Sequence, residues 1–345
     1  MDLSVVVPTL NGRDRLAACL DALAAHAPDT EVIVVNGPSA DGTTGMVRDR
    51  DDVDVLVEIS DRTVNVARNA GIEVANGDAV ALVDFDNRIG ESWLAGVRAG
   101  LSDADVVTGP VRESGPRADD GRADADDRTD GREDGRTDGR EDGREDGRGG
   151  NRRDDREDDD SDGPERRRIA GREVTYFAGG NVAFRREALR DLDGFDEYLR
   201  VGGARDASHR LARMEREVVW RSEVAVVEEP PNPTAADGGR TARDWGWKYR
   251  ALAYRLAKNY GIRPTTLVRT GKHAVTDATA VARDVVRGEA TPSGWVANGR
   301  DVVAGIVSGG SDGLVARARD RSPARNPNGV STRADRAVAR YDVRE

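Results

Sequence analysis

Cysteine, lysine and aromatic residues are scarce in this 345-residue chain, and long apolar runs are absent from it. The single cysteine, Cys19, excludes an internal disulfide and a cysteine-based zinc site, so the chain is not a secreted disulfide scaffold. Only three of the 53 basic residues are lysines, while 64 residues are acidic. Such an excess of carboxylates is typical of proteins from high-salt habitats, where surface acid keeps a protein hydrated. No apolar run reaches the roughly 18 residues of a membrane span, and no basic region precedes the first apolar run, so we expect neither a span nor a signal peptide.

Charge is distributed unevenly along the chain. The net charge of −11 divides into −11 for residues 1–111, −7 for 112–168, −2 for 169–229 and +9 for 230–345. Only the last segment is basic. We take these four segments as the expected domain organisation.

The segment 112–168 consists largely of Asp, Gly and Arg, and its only apolar side chains belong to three alanines. Such a composition cannot bury enough surface to offset the entropy of ordering, so we expect a disordered, solvated insertion. Two interpretations stay open. The repeat is either an expanded surface loop without a function, or an electrostatic tether that screens the basic tail at low salt.

Continuous Val- and Ile-rich runs alternate with helical spacings in the N-terminal part, which predicts βαβ units and an open α/β sheet. The expected strands are 3–7, 31–35, 53–58 and 79–84, and the expected helices are 14–27, 63–75 and one that begins at Ser39 or Asp41. Ligands of such sheets bind at the carboxyl ends of strands. Candidate site residues are therefore Thr9, Asn11, Asn36 and Asp84 to Asp86.

Further elements are expected beyond the insertion. The sequence predicts a strand at 179–184 behind paired glycines, helices at 185–191 and 206–217, and a closing strand at 218–227. From Pro230 onward only helical patterns are found.

The sharpest local motif is Asp84-Phe-Asp86, which directly follows an apolar strand. In an extended conformation both carboxylates point the same way, and they can grip one hard divalent cation while a diphosphate completes its oxygen shell. The alternative is a solvated turn, since Asp and Asn are ordinary turn residues.

Five motifs in order make the chain resemble family 2 glycosyltransferases, which have the GT-A fold. The resemblance covers residues 3 to about 227, apart from the insertion. The motifs are Val5-Val-Val-Pro-Thr-Leu-Asn11, Glu31 to Thr43, Ala67-Arg-Asn-Ala-Gly71 with Ala75 to Asp78, Leu82-Val-Asp-Phe-Asp86, and Gly179 to Arg186 followed by Asp193-Gly-Phe-Asp-Glu197. The implied fold is a Rossmann-like nucleotide-diphospho-sugar transferase domain with a C-terminal helical extension.

The resemblance implies a role for individual residues. Residues 1–111 would form the nucleotide-sugar-binding half and residues 169–229 the acceptor half, with Asp86 on a divalent cation, Mg²⁺ or Mn²⁺. The nucleotide-sugar contacts would be Thr9, Asn11, Asn36, Asp61, Arg68, Asn69 and Asp84. Asn36 stands where the family usually has an Asp that reads the base. Arg68 would be available for phosphate, and its alternative is a plain surface residue of a helix.

The resemblance also implies a catalytic base, which takes the acceptor's proton during inversion. Arg205-Asp206 corresponds to the family's Glu-Asp pair, so Asp206 would be the base. Arg205 replaces the acid, and it could contact an anionic group of a sugar or lipid. The alternative for Asp206 is an acid that favours a helix N-terminus. His209, one turn later, could approach the metal or be structural.

The basic tail 230–345 begins with a helical pattern that carries aromatic residues beside cations. Such helices lie in a membrane interface or pack on a domain, and both interpretations stay open. The predicted membrane contacts are Trp245, Trp247, Lys248 and Arg250. We therefore expect a peripheral protein on the cytoplasmic face of the cell membrane. Nucleic acid is not an expected partner, because the acidic half would repel it.

These features together predict transfer of one sugar, with inversion, from a nucleoside diphosphate sugar to a lipid-linked acceptor, a dolichyl or polyprenyl phosphate. With its salt-adapted composition, the chain is similar to archaeal enzymes that assemble dolichol-linked glycans for N-glycosylation of surface-layer proteins. That similarity implies a UDP-sugar, and with Arg205 a hexuronic acid. Two alternatives stay open: a non-catalytic glycosyltransferase-like scaffold, and a transferase with a soluble acceptor.

Overall fold

The computed structural model describes residues 1–114, 163–229, 245–263, 292–319 and 326–344. Strands and helices alternate in the N-terminal part, as the sequence predicts. They are β1 (Leu3–Thr9), α1 (Arg13–His26), β2 (Glu31–Asn36), α2 (Thr43–Arg48), β3 (Val55–Ile59), α3 (Val64–Val74) and β4 (Ala79–Val83). The strands β1 and β4 are buried along their whole length, as apolar, Val-rich runs require when helices cover both faces of a sheet.

The remaining described elements complete the domain and its extension. They are β5 (Asn87–Ile89), α4 (Trp93–Asp103), β6 (Val106–Thr108), β7 (Val111–Glu113), β8 (Arg166–Ile169), β9 (Arg172–Thr175), β10 (Asn181–Arg185), α5 (Arg186–Leu192), α6 (Gly203–Arg213), β11 (Val218–Trp220), β12 (Val226–Glu228), α7 (Trp245–Tyr260), α8 (Pro292–Arg319) and β13 (Ala337–Asp342).

The main sheet has the strand order β11-β6-β10-β4-β1-β2-β3-β13. Strand β1 pairs in parallel with β2 and β4, whereas β10 runs antiparallel between β4 and β6. Successive residues of β1 face opposite sides, so Val5 and Val7 pack with α1 while Val6 packs with α3. The predicted α/β fold class is confirmed, with parallel strands at its centre and a C-terminal helical part.

Two predicted boundaries differ in the structure. Strands β7 and β8 extend into the predicted insertion 112–168, because each pairs with a neighbouring strand, β12 or β9. Residues 115–162 of that insertion lie outside the described residues. The single closing strand expected at 218–227 is two strands, since β11 joins the main sheet while β12 lies between β5 and β7.

The expectation that only helices follow Pro230 is wrong for the last described segment. Strand β13 pairs antiparallel with β3 and forms an edge of the main sheet. Its side chains are mostly exposed, so its residues lack the apolar run that marks the central strands. Described residues of the predicted tail therefore belong to the same compact unit as the N-terminal part.

Helices α7 and α8 pack with their backbones in close contact. Gly305, Gly309 and Gly313 recur every fourth residue on one face of α8, and each lies against the backbone of α7. A Cβ atom at Gly309 would collide with the carbonyl of Arg250. Only glycine allows this approach, as in other helix pairs with glycine at every fourth position.

Helix α7 also packs on the domain. Tyr249, Tyr254 and Leu256 are buried, and Leu256 shares an apolar cluster with Ile169 of β8 and Val174 of β9. The described helices include none that is both long and apolar enough to cross a bilayer.

Candidate active site

The carboxyl ends of β1, β2 and β4 lie side by side, because these strands are parallel neighbours. Thr9 at the end of β1 stands opposite Asn36 at the end of β2, and Asp84 directly follows β4. The Thr9 hydroxyl is buried and has no hydrogen-bond partner among the described residues. A buried polar atom without a partner destabilises a protein unless water or a ligand supplies one. This edge of the sheet is therefore a candidate ligand site.

Asn11 and Asn36 shape the loop beside this edge. The Asn36 amide accepts a hydrogen bond from Ser39 Oγ at 2.7 Å and donates one to Thr44 Oγ1 at 3.0 Å. Asn11 has a left-handed φ of 53° and accepts a hydrogen bond from the Ala40 amide at 2.8 Å. Both side chains thus have hydrogen-bond partners within the protein, and the contact of Asn36 with a base stays a prediction.

Arg68 and Asp84 form an ion pair at the centre of the edge, with Nη2 3.0 Å from Oδ1. Arg68 is buried and lies over the Phe195 ring, 5.4 Å from its centroid, so it is not a plain surface residue of α3. The paired glycines predicted before β10 have a steric reason. A Cβ at Gly179 would lie 2.9 Å from Arg68 Nη2, and one at Gly180 would collide with the Asp84 carboxylate.

Asp86 lies beside Asp84 and is paired with Arg15 of α1, whose Nη1 is 3.2 Å from Asp86 Oδ2. Burial, followed by the charge of Asp84, raises the pKa of Asp86 to about 6. The opposing effect of Arg15 is smaller than that of Asp84. Glu228 at the end of β12 acts in the same direction. Arg15 therefore does not offset the effects of burial and of the neighbouring carboxylates on Asp86.

These carboxylates suit a hard divalent cation. The described residues include no group of three or more His, Cys, Asp or Glu side chains placed to hold a metal. Mg²⁺ and similar cations are commonly bound by one or two carboxylates together with substrate phosphates. Asp84 and Asp86 would supply the protein's share, and a bound cation would relieve the unfavourable burial of the Asp86 charge and its repulsion from Asp84.

Asn69 does not line the pocket as expected, because it is fully buried. Its amide donates to the Phe195 carbonyl at 2.9 Å and to Glu197 Oε1 at 2.8 Å, and it accepts from the Phe195 amide at 2.8 Å. Asn69 therefore fixes the turn that follows α5. Through these hydrogen bonds the motif Gly194-Phe-Asp-Glu197 contacts the motif Arg68-Asn69 in the folded domain.

Asp61 lies at the loop before α3 and is partly exposed. Its carboxylate forms an ion pair with Arg333 at 3.2 Å, and Arg333 also contacts Glu197 at 3.1 Å. The C-terminal segment thus reaches the predicted nucleotide side of the domain. Sequence motifs could not indicate Arg333, because it is 272 residues from Asp61.

Asp206, the expected base, is buried in the first turn of α6 and is closed to an acceptor in this structure. Lys258 of α7 donates to its Oδ2 at 2.8 Å, and Asn259 donates to its Oδ1 at 2.8 Å. Lys258 also donates to Asp196 at 2.6 Å. Burial alone would raise the pKa of Asp206, but Lys258 and then Arg210 hold it below its usual range. The carboxylate is a buried structural anion in this conformation.

His209 and Arg205 also have partners within the protein. His209 is buried, its Nδ1 is 2.8 Å from the Tyr260 hydroxyl, and its ring contacts Tyr176 edge to face. The structural interpretation therefore fits His209. Arg205 donates to Glu165 Oε2 at 2.9 Å and lies over the Tyr176 ring. Its guanidinium already has a carboxylate partner.

The predicted membrane contacts on α7 are Trp245, Trp247, Lys248 and Arg250. The ring of Trp247 packs on the ring of Tyr198, with 5.9 Å between their centroids. Arg250 donates hydrogen bonds to the Tyr198 hydroxyl at 2.6 Å and to Asp312 of α8 at 2.9 Å. Lys248 is partly buried, and the side chain of Trp245 lies outside the described residues. The packing interpretation of this helix fits Trp247 and Arg250.

Known proteins resemble part of the chain in sequence. The sequence model of Glycosyl transferase family 2 matches residues 4–193. Glycosyltransferase AglE of Haloferax volcanii is 32% identical over 99 residues, which are 27% of this chain and 33% of AglE. The poly(ribitol-phosphate) beta-glucosyltransferase of Bacillus spizizenii is 31% identical over 102 residues, which are 27% of this chain and 16% of that protein. The chain thus spans a third or less of these relatives.

Solved structures resemble the chain over most of its length. The mannosyltransferase PcManGT from Pyrobaculum calidifontis, in complex with GDP-Man and Mn²⁺, has a TM-score of 0.51 and 18% identity, and the match covers 93% of this chain and 88% of that one. Residues 1–349 of S. aureus TarS, in complex with UDP-GlcNAc, have a TM-score of 0.51 and 17% identity, with 82% and 72% covered. Because the family match spans more than half of the sequence and the sheet carries the expected carboxylate pair, the chain belongs to glycosyl transferase family 2 and has the GT-A fold.

Proposed function

We propose that this chain is a metal-dependent glycosyltransferase that transfers one sugar, with inversion, from a nucleoside diphosphate sugar to a lipid-linked acceptor. The observation that carries the proposal is the cluster of Arg68, Asp84 and Asp86 beside the unpartnered hydroxyl of Thr9. Family membership supports the reaction class, and solved relatives of the same fold bind GDP-Man with Mn²⁺ or UDP-GlcNAc.

Each side chain has a role that follows from its charge and position. The Thr9 hydroxyl would bind the nucleoside, and the buried Arg68 guanidinium would bind a phosphate oxygen once Asp84 turns to the cation. Asp84 and Asp86 would hold Mg²⁺ or Mn²⁺. When bound, the cation neutralises charge on the leaving diphosphate.

The oxyanion of a polyprenyl phosphate can attack without losing a proton, whereas inversion onto a hydroxyl acceptor needs a group that takes the acceptor's proton. Asp206 is not placed to do so while both of its oxygens accept hydrogen bonds from α7. We therefore assign Asp206 a positioning role at the start of α6. Arg205 does not support a hexuronic acid donor, since it already pairs with Glu165. We propose a UDP-sugar as the donor and assign no particular sugar to it.

Transfer activity should be detected when nucleotide sugars and Mn²⁺ are offered together with polyprenyl phosphate in high salt. We expect mass spectrometry to find one sugar added to the lipid from a nucleoside diphosphate sugar, because the cation site and Arg68 fit the diphosphate of such a donor. Transfer to a soluble sugar but not to the lipid would favour a soluble acceptor. Absence of both transfer and donor hydrolysis would favour the non-catalytic scaffold.

The outer face of α8 supports association with a membrane surface at the cytoplasmic side. Its glycine face is turned to α7, while Val303, Val307 and Val315 are 61%, 66% and 51% exposed. Arg300, within the helix, and Arg319, its last residue, are exposed as well. Exposed aliphatic residues flanked by arginines fit an anionic lipid surface. This face replaces α7 as the proposed contact.

Replacing Val303 and Val307 by serine should weaken binding to vesicles of anionic phospholipid by about tenfold, because two aliphatic side chains no longer enter the interface. Vesicle co-sedimentation measures the effect. The matched control is Val338→Ser with Val343→Ser, since these valines are equally exposed at 68% and 71% but belong to the last described segment. Equal loss in both double variants would contradict the assignment to α8.

A further inference from the structure

Arg15 places a fixed positive charge where a divalent cation would bind. Its guanidinium is 3.2 Å from Asp86, and the two side chains are only 16% and 22% exposed. It also lies over the Phe85 ring, 4.7 Å from the centroid. Phe85 is in turn packed against Gly12, where a Cβ atom would collide with the ring. Arg15 is thus held beside the carboxylate by contacts on two sides.

This arrangement creates a competition for Asp86. A divalent cation on that carboxylate would lie close to the guanidinium, and the two positive charges would repel each other. Arg15 can leave Asp86 at little cost only if another anion takes the place of the carboxylate. A diphosphate bound at the same edge would supply that anion, and it would also complete the oxygen shell of the cation.

We propose that Arg15 is a positioning residue that makes cation binding depend on the nucleoside diphosphate. The inference rests on the proposed function, because it assumes that the diphosphate binds at this edge of the sheet. Without nucleotide, Arg15 is the counter-ion of Asp86. With nucleotide, the guanidinium pairs with a phosphate oxygen and Asp86 turns to the cation. Cation and nucleotide then bind cooperatively, and each raises the affinity for the other by the same factor.

Mn²⁺ binding to the full chain tests this inference without a measurement of turnover. Electron paramagnetic resonance of free Mn²⁺ gives the affinity in the absence and presence of saturating UDP or GDP, with nucleotide-only blanks. We expect the nucleotide to raise the Mn²⁺ affinity of the wild type at least about fivefold, the lower end of typical coupling between sites. In the absence of nucleotide, Arg15→Gln should bind Mn²⁺ at least about fivefold more tightly than the wild type does. The nucleotide should then raise the Mn²⁺ affinity of this variant by a smaller factor than in the wild type.

Arg13→Gln is the matched control. Arg13 is exposed on the same helix, so the substitution removes the same charge without a contact to Asp86. This variant should behave like the wild type in both titrations. If Arg15→Gln and Arg13→Gln bind Mn²⁺ equally, Arg15 does not control the cation. If neither the wild type nor Arg15→Gln binds Mn²⁺ even with nucleotide, the cation site itself is absent, and the proposed function fails with it.

Discussion

Replacing Lys258 by methionine is expected to lower the free energy of unfolding by about 3–5 kcal/mol, the usual cost of removing one partner of a buried ion pair. Lys258 is 1% exposed and its ammonium donates to both Asp196 and Asp206. The substitution would leave two buried carboxylates without their cation. Urea denaturation in high salt, followed by circular dichroism, measures the loss.

The control for this variant is Lys248→Met, which makes the same substitution on the same helix at a partly buried position. We expect it to change the free energy of unfolding by at most about 1 kcal/mol, because solvent reaches this side chain and screens its charge. If both variants unfolded at the same urea concentration, the ion cluster would not anchor α7 to the domain.

The pH dependence of the wild type has a defined sign. The folded-state pKa of Asp206 is lowered, so its ionised form stabilises the protein above the ordinary carboxyl pKa of about 4. That stabilisation is lost as the pH falls toward the folded-state value. In Lys258→Met the cation is missing, and the difference from the wild type should therefore shrink below about pH 4.

Variants of the ion pair between Lys258 and Asp206 distinguish a positioning role of Asp206 from a catalytic one. Asp206→Asn alone should reduce both stability and transfer, because Lys258 loses one of its two carboxylate partners. The double variant Asp206→Asn with Lys258→Met removes opposite charges together, which is often nearly neutral. We expect it to recover part of both properties relative to Lys258→Met. Recovered stability with no recovered transfer would identify Asp206 as the base.

Replacing Asp86 by asparagine is expected to reduce transfer by about 10²- to 10³-fold, the usual effect of removing one preorganised electrostatic group. Burial, followed by the charge of Asp84, raises the pKa of Asp86 to about 6. Its ionised form therefore opposes folding at neutral pH. The melting temperature should not fall, which separates loss of the cation site from loss of the fold.

Asp51→Asn serves as the control for Asp86→Asn, since Asp51 is an exposed carboxylate in the loop before β3. It should leave transfer unchanged. The rate is followed as nucleoside diphosphate released with saturating Mn²⁺. A rate of Asp86→Asn within tenfold of the wild type would contradict a cation held by this carboxylate.

Much of the fold could be predicted because its signals are local. The buried strands β1, β2 and β4 consist largely of Val, Ile, Leu and Ala, and Leu16, Leu20 and Leu23 mark the buried face of α1. Parallel strands align their carboxyl ends, so the sequence places Thr9, Asn36 and Asp84 at one edge of the sheet, and the strand order β4-β1-β2 makes them neighbours.

Contacts between distant segments decided the rest of the site. A carboxylate that opens a helix has the same local sequence whether it faces an acceptor or, like Asp206, an ammonium 52 residues away. The aromatic, cationic face of α7 is likewise compatible with lipid or protein, and only packing selects protein for Trp247 and Arg250. The pairing of Arg15 with Asp86 spans 71 residues.

The sequence by itself thus determined the α/β class, the family and the edge of the sheet where the candidate site lies. Tertiary structure decided which of the candidate residues face that edge. It placed Thr9 and Asp86 there, and it buried Asp206 beneath α7. The physical reason is that secondary structure follows from neighbouring residues, whereas burial and charge pairing depend on segments that meet only after folding.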